Sequence, residues 1–574
     1  MIKKTFKSNV LAISSALFCS SLTASGVVME DNLVLAENLD LVPTFSSLGI
    51  TLKRGDLLGT EPLVIEYQHF GGNEWLTGPE LWFDNRIDEF KTSLVNLDDN
   101  TRYQLRIKNG KTIIAAQEFR TWSENFPIGK EIVLPEYSDE PLVIEESGTE
   151  NGYILIRPAT GKRAVINTKN RHANNIVING SYVIVRGVTV KRASESAIVI
   201  SPKDWLSQQS NVVIENSDIS QWGGHNQCGE GSACPYGVNL QAGVFASGHN
   251  LQQNLSKVVI QNNRIYNPAT TSNNWRQWNP ESGKHPSGPQ GITLYETNGQ
   301  HVIRYNEIFS NNGNKFNDAL GGKGNFSQDG FLNKDSDVYG NIVSDAWDDG
   351  IELEGAMKNV RVWNNIITNT YNSLATANVS QGPLYIWKNI SGKNMITDND
   401  SKGAFLKTGA NQDSEKVNGQ WGGRIYVYHN TVLQPLADNS ARLGAHEGIV
   451  DSGGGMDNLV SKNNIIEVSN HYSKAIRDVS LSATNNFHND LLFGEVVAGN
   501  RSLVDSIAAK PEYRANPTQN IGSINALRFG DYRLTDISPG AKEARPIVGF
   551  TPVDTQLDVG AQQPYETQLQ FGNR

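Results

Sequence analysis

From about residue 130 onward, apolar and polar positions alternate for two or three residues, reach an Asn and resume at Ile or Val. The phrase runs Val259-Ile-Gln-Asn-Asn263-Arg-Ile265, Val302-Ile-Arg-Tyr-Asn306-Glu-Ile308, Val338-Tyr-Gly-Asn341-Ile and Val362-Trp-Asn-Asn365-Ile. Later copies end at Asn389, Asn430 and Asn464. Alternation over so few residues predicts short strands. Asn341 and Asn365 stand 24 residues apart, a length that suits one coil of a solenoid, and wider spacings are coils carrying inserted loops. A second phrase, a polar residue followed by Gly and an apolar residue, precedes many copies: Gln290-Gly-Ile, Asp329-Gly-Phe, Asp349-Gly-Ile, Gln381-Gly-Pro and Glu447-Gly-Ile. It predicts a column on a neighbouring face. Residues 130–500 are therefore expected to form an all-β, right-handed parallel β-helix. Its inward apolar residues stack into one core, and its Asn side chains ladder along a corner, where Asn tolerates left-handed backbone.

The flanking regions read differently. Residues 28–128 alternate in short strands separated by turn signals, for example Leu63-Val64-Ile65-Glu66-Tyr67. In Leu97-Asp-Asp-Asn-Thr101-Arg-Tyr103-Gln-Leu105 a Tyr opens a strand just after a turn, and Phe119-Arg-Thr-Trp122 supplies a last strand. The Tyr resembles the tyrosine corner of fibronectin type III and immunoglobulin-like modules, which implies a β-sandwich acting as a spacer or binding accessory. Residues 501–574, with Tyr532-Arg-Leu-Thr-Asp-Ile-Ser-Pro-Gly-Ala541 and Asp558-Val-Gly-Ala561, resemble the closing segment of bacterial β-helix proteins. They are expected to cover the last coil and block edge pairing.

Composition narrows the function. With 53 Gly and abundant Asn, the chain disfavours helix. Its net charge of -10 argues against nucleic acid as a partner, while a local basic cleft would still accept an acidic polymer. Lys3, Lys4 and Lys7 precede the apolar stretch Val10 to Phe18, and Leu22-Thr23-Ala24 offers a cleavage site, so residues 1–25 read as a signal peptide of a secreted or periplasmic protein. No later stretch has the length and apolarity of a membrane span. In such an oxidising compartment Cys228 and Cys234, six apart in a Gly-rich loop, are expected to form a disulfide, the alternative being two free thiols.

The densest chemistry lies in Asp348-Asp349-Gly350-Ile351-Glu352-Leu353-Glu354. With Leu353 turned to the core, Glu352 and Glu354 face out. Asp329 is expected one coil below, under Asp349. Carboxylates so clustered repel one another unless a cation or a shared proton intervenes, and hard oxygen ligands suit Ca²⁺. These residues resemble the calcium site of polysaccharide lyase family 9, the parallel β-helix pectate lyases, over about residues 290–430. The resemblance implies Asp329, Asp348, Asp349 and Glu352 as metal ligands, with Glu352 standing where the family has Asp. It implies Lys407, in Gly403-Ala-Phe405-Leu406-Lys407-Thr-Gly409, as catalytic base, with one residue of offset from the family's Gly-x-Phe-Lys-like strand. Lys388, in the Asn-corner column with His429 and Tyr305, is the rival by spacing. The implied reaction is β-elimination on a uronic-acid polymer.

Glu354, Trp347, His429 and Lys388 are further candidates for substrate contact. Trp222, Trp275, Trp278, Trp363, Trp387 and Trp421 are further Trp residues of the coils and inserts, and Trp347 is singled out by its place beside Asp348. The insert 266–289, with Arg276 and His285, is a candidate cleft wall. Two other readings compete: a glycoside hydrolase using Asp348, Asp349 and Glu352 or Glu354 as acid and base, and a non-catalytic polysaccharide-binding adhesin or matrix protein. The expected partner is an acidic polysaccharide and the expected state a monomer.

Overall fold

The computed structural model describes residues 38–55, 62–225, 235–248, 253–377, 379–397, 401–409, 417, 422–434, 447–453, 455–468, 473–480, 484–498, 503–517 and 521–573. Cys228, Cys234, Trp421 and residues 1–37 lie outside these ranges.

From Ile128 onward, the described residues form three long parallel sheets of 13, 12 and 12 strands. Successive strands visit the sheets in turn, so each circuit is one coil of a parallel β-helix. The core follows from the register. Ile176, Ile198, Val244, Ile292, Leu320, Ile351, Leu374, Leu406, Ile449 and Ile476 stand one above another in the same sheet. All are fully buried. Each apolar side chain thus meets its counterpart a coil away, and burial is continuous along the axis.

The Asn phrase forms the corner between the other two sheets. The Asn263 amide donates to Asn306 Oδ1 at 3.0 Å, and the relay passes through Asn341, Asn365, Asn389, Asn430 and Asn464. It ends on Asp490, whose Oδ1 accepts from Asn464 at 2.9 Å. Each Oδ1 also accepts the backbone N–H of the coil before it, as between Asn341 and Asn365 at 3.0 Å. The ladder therefore satisfies polar groups that the corner buries.

Leu39–Leu94 and Leu63–Arg120 supply the strands of two four-stranded antiparallel sheets that share one core. This is a β-sandwich, and the Asp98 N–H donates to the Tyr103 hydroxyl at 2.9 Å. The sandwich docks on the outside of the solenoid sheet that holds Asp337–Tyr339, Val360–Trp363 and Leu384–Trp387. Buried Asp84 pairs with Arg86 and Lys91, each at 2.7 Å. Arg86 donates across the interface to the carbonyls of Ser380 at 2.8 Å and Gln381 at 3.1 Å.

The tail departs from the expected end cap. Ile507–Ala508 does pair beside Leu491–Phe493 at the last coil. Leu534 and Val559 pack on Ile465 and Leu491 near that end, while Ile521, Leu527, Tyr532, Leu569 and Phe571 run back along the flank and pack on Ile342, Ile366 and Ile390. The Gly572 N–H donates to Gly340 O at 2.7 Å, several coils before the end. The reason lies in the sequence: the corner strands carry Ile on their outer as well as inner faces, and the tail covers that second apolar stripe.

Candidate active site

The site lies on the third sheet, where one coil brings Leu320–Gly322, the next Asp349–Glu352, then Asn372–Thr376 and Ala404–Thr408. Ile351 and Leu353 point into the core, which turns Glu352 and Glu354 outward. At Gly350 an added Cβ would stand 2.7 Å from Ile367 Cγ2, so a small residue is required where the chain turns inward. Leu320 pairs with Ile351, and the residue beneath Asp349 is therefore Asp318. The Asp349 N–H donates to Asp318 Oδ1 at 3.2 Å. Gln290 donates to Asp318 from the coil below at 2.9 Å, and Asn372 to Asp349 from the coil above at 2.8 Å.

Asp318 corrects the expectation for Asp329. That residue follows the strand instead of opening it, next to the Gly330–Gly355 bridge, and its carboxylate accepts from Gln253. The column phrase is better read as a polar residue, a small residue and an apolar one. Asp318-Ala319-Leu320 satisfies it with Ala in place of Gly, and that signal was present in the sequence. Gln381-Gly382-Pro383 likewise leaves the column and sits at the sandwich interface.

Asp318, Asp349 and Glu352 are buried, with one carboxylate oxygen from each lying within 4.8 Å of the others. Asp348 is buried beside them, and its Oδ1 has no hydrogen-bond partner among the described residues. The Glu352 oxygens accept from Asn325 at 2.7 Å and from the Gly322 N–H at 3.0 Å. Burial, then the charges of Glu352, Asp348 and Asp349, holds the Asp318 carboxyl well above its usual range. Burial and Asp349 do the same to Asp348. Burial, Glu354 and Asp349 push Glu352 up to about 8. The charge is thus unresolved except by protons or by a cation.

Lys407 is the cation that the fold does supply. Glu352, Ala375 and Lys407 share one register column, and the small Ala375 leaves room for the lysine to reach back. Its Nζ lies 3.0 Å from Asp349 and 3.2 Å from Glu354. Burial opposes the ammonium, but Asp349, Glu354 and Asp348 outweigh it and hold Lys407 well above the usual lysine range. Glu354 is only 2% exposed and accepts the Ala377 N–H at 3.2 Å, so it braces Lys407 and does not present an open sugar contact.

The remaining candidates fall elsewhere. Lys388 and His429 occupy the Asn corner between the other two sheets, away from the acidic cluster. Lys388 pairs with Glu566 of the tail at 2.6 Å. His429 is buried against Gly560 O and the Asn463 amide, and desolvation lowers it to about 3. Both were expected to contact substrate; covering by the tail removes them. Trp347 is half-buried, with the Lys315 ammonium 5.7 Å over its ring. Trp363 and Trp387 stack 4.7 Å apart under Phe550, and Trp222 stacks with Phe316 in the core. These three serve packing.

A cleft of about 570 Å³ opens over the cluster. Asp318, Asp348 and Glu352 line it, with His285, Lys323, Asn325 and Phe326 on its walls. His285, from the insert 266–289, packs against Trp275 at 4.7 Å and brings Nε2 to 3.8 Å from Asp348. The insert therefore does wall the cleft.

No family model and no curated protein matches the chain. Among solved structures it is similar to the pectate lyase Pel9A, with a TM-score of 0.38 and 13% identity over 76% of this chain and 86% of that one. It is also similar to the PL6 family polysaccharide lyase Pedsa3628 from Pseudopedobacter saltans, with a TM-score of 0.30 and 12% identity over 72% of this chain and 97% of that one.

Proposed function

We propose that the protein is a secreted polysaccharide lyase that cleaves a uronic-acid polymer by β-elimination, with Lys407 as base and Ca²⁺ as cofactor. The observation that carries this reading is a buried trio, Asp318, Asp349 and Glu352, in register with a lysine two strands along the same face. The donor set fits the ion: all oxygen, more negative charge than nearby cations balance, and an orphaned Asp348 Oδ1. Asp318, Asp348, Asp349 and Glu352 would hold it; Asp329 no longer belongs to the set. Bound there, Ca²⁺ would neutralise the substrate carboxylate and so favour charge developing from C5.

The chain's own residues do the rest. Lys407 Nζ, held in place by Glu354 and Asp349, removes the C5 proton; the C4–C5 double bond forms as the C4–O bond to the neighbouring sugar breaks, and the departing oxygen takes a proton from solvent water. In the ion-free arrangement those same carboxylates keep Lys407 protonated. Its service as a base is therefore tied to the acidic charges being engaged elsewhere. His285, Asn325 and Lys323 line the space that a sugar chain would enter. A hydrolase of the inverting type needs its two carboxyls about 6.5–9.5 Å apart to admit water. A trio with oxygens within 4.8 Å favours a shared ion over that alternative.

The test is turnover of a panel of uronic-acid polysaccharides, followed by ultraviolet absorbance of unsaturated products. Lys407→Ala is expected to lower kcat by about 10²–10⁴, and a chelator to abolish turnover until Ca²⁺ is restored. Saturated reducing ends would indicate the hydrolase. Binding without any product would indicate the adhesin.

A further inference from the structure

A second cleft, of about 510 Å³, lies where sandwich, solenoid and tail meet, on the Asn corner and not on the acidic face. Along the corner, the position before each ladder residue holds Asn262, Tyr305, Gly340, Asn364, Lys388, His429 and Asn463, all with positive φ. Gly340 interrupts that column and leaves a recess. The Tyr305 ring leans over it, since a Cβ on Gly340 would stand 2.4 Å from Tyr305 Cε1. A bulky aromatic residue at φ 56° is uncommon, and backbone strain of this kind accumulates at functional positions.

We propose that this recess is a second carbohydrate site that takes neutral sugar residues. The cleft presents one aromatic ring, the half-buried Tyr305, which stands edge-on to Tyr339 at 5.3 Å; Tyr339 and Trp363, stacked at 4.1 Å, are buried beneath it and support it. Such a ring suits the C–H face of a sugar. The rim is of amides and carboxylates, groups that bind hydroxyls, and Asn364 Oδ1 has no partner among the described residues. Among the described residues lining the cleft there is no Lys, Arg or His. Glu124 and Glu566 are matched from outside it by Arg304 and Lys388, each at 2.6 Å, and Asp98 and Asp99 add further negative charge. A uronate is repelled here, in contrast to the acidic face, where an ion would receive it. The inference does not depend on the elimination chemistry.

Calorimetric titration of the full chain tests it, with galactotetraose, cellotetraose, tetragalacturonate and the tetramer of glucosamine as probes. At least one neutral tetramer is expected to bind, and Tyr305→Asn to weaken it about tenfold or more. Asn stands at this column position in the preceding coil, as Asn262, and tolerates positive φ, so the melting temperature is expected to hold. Gln570→Ala, an exposed rim change, provides a second variant. Tetragalacturonate titrations are expected to be the same in wild type and Tyr305→Asn. The proposal is overturned if neither neutral tetramer binds at about 10 mM. It also falls if neutral binding survives both substitutions, if the glucosamine tetramer is preferred, or if Tyr305→Asn removes uronate binding.

Discussion

Glu352 sits between Gly321 and Ala375 on its face, and that smallness shapes the acidic site. A Cβ on Gly321 would stand 3.0 Å from Glu352 Oε2, and Ala375 lets Lys407 cross to Asp349. Asp318 is the residue that the proposed ion needs and that its position makes available. Asp318→Asn is expected to weaken Ca²⁺ binding at least about tenfold in calorimetric titration. The same change should leave the ion-free protein as stable or more so, because one of several mutually repelling buried carboxylates is removed. Unchanged affinity would exclude Asp318 as a ligand. At this scale alternation around core-facing Leu353 made the outward face of Glu352 and Glu354 legible, while Asp349 shares a cluster with Glu352 only because the chain turns inward at Gly350 between them. Asp318 was hidden because Ala319 replaces the Gly of its phrase, and Asp329 was a decoy because its Gly belongs to a turn.

At the scale of elements, the Asn ladder ends in an acid, and that has a pH consequence. Buried Asp490 accepts from Asn464 and from the Ser461 hydroxyl at 2.7 Å, and desolvation raises it to about 6. A carboxyl raised in the folded state favours folding while protonated. Its contribution is full below its unfolded value of 3.8 and is lost as pH rises through about 6. Asp490→Asn removes the titration and extends the ladder by one amide, since the Ser461 hydroxyl is free to turn and accept. The variant is expected to match wild type near pH 4 and to be more stable by roughly 1–3 kcal/mol near pH 8. Scanning calorimetry at the two pH values measures this, and a gain that does not depend on pH would contradict it. The ladder itself was readable, because a corner that recurs every coil must satisfy the same backbone groups each time.

For the whole molecule, the sandwich is built into the solenoid and is not a swinging appendage. Asp84, Arg86 and Lys91 bury their charges at the join, and their donors end on the Ser380 and Gln381 carbonyls. The Ser380 N–H in turn donates to Gly355 O at 2.7 Å, next to Glu354. Heating is expected to unfold sandwich and solenoid in one cooperative transition. Arg86→Ala should destabilise the protein by about 3–5 kcal/mol, because it breaks one of the two buried pairs of Asp84 and removes the donors to the Ser380 and Gln381 carbonyls. Two well-separated transitions in the wild type would show that the bodies fold independently.

The sequence alone determined the parallel β-helix, its coil length, its corner ladder and the strand-borne part of the acidic site. Those are periodic or local features, set by which way consecutive side chains must point. Tertiary structure decided that Asp318 lies under Asp349, that the tail runs along the flank, that the sandwich is locked in place, and that His429 and Lys388 are covered. Each depends on the register of coils separated by inserts of different length, or on surfaces that meet only after the chain has wound. Spacing along the chain does not encode those contacts.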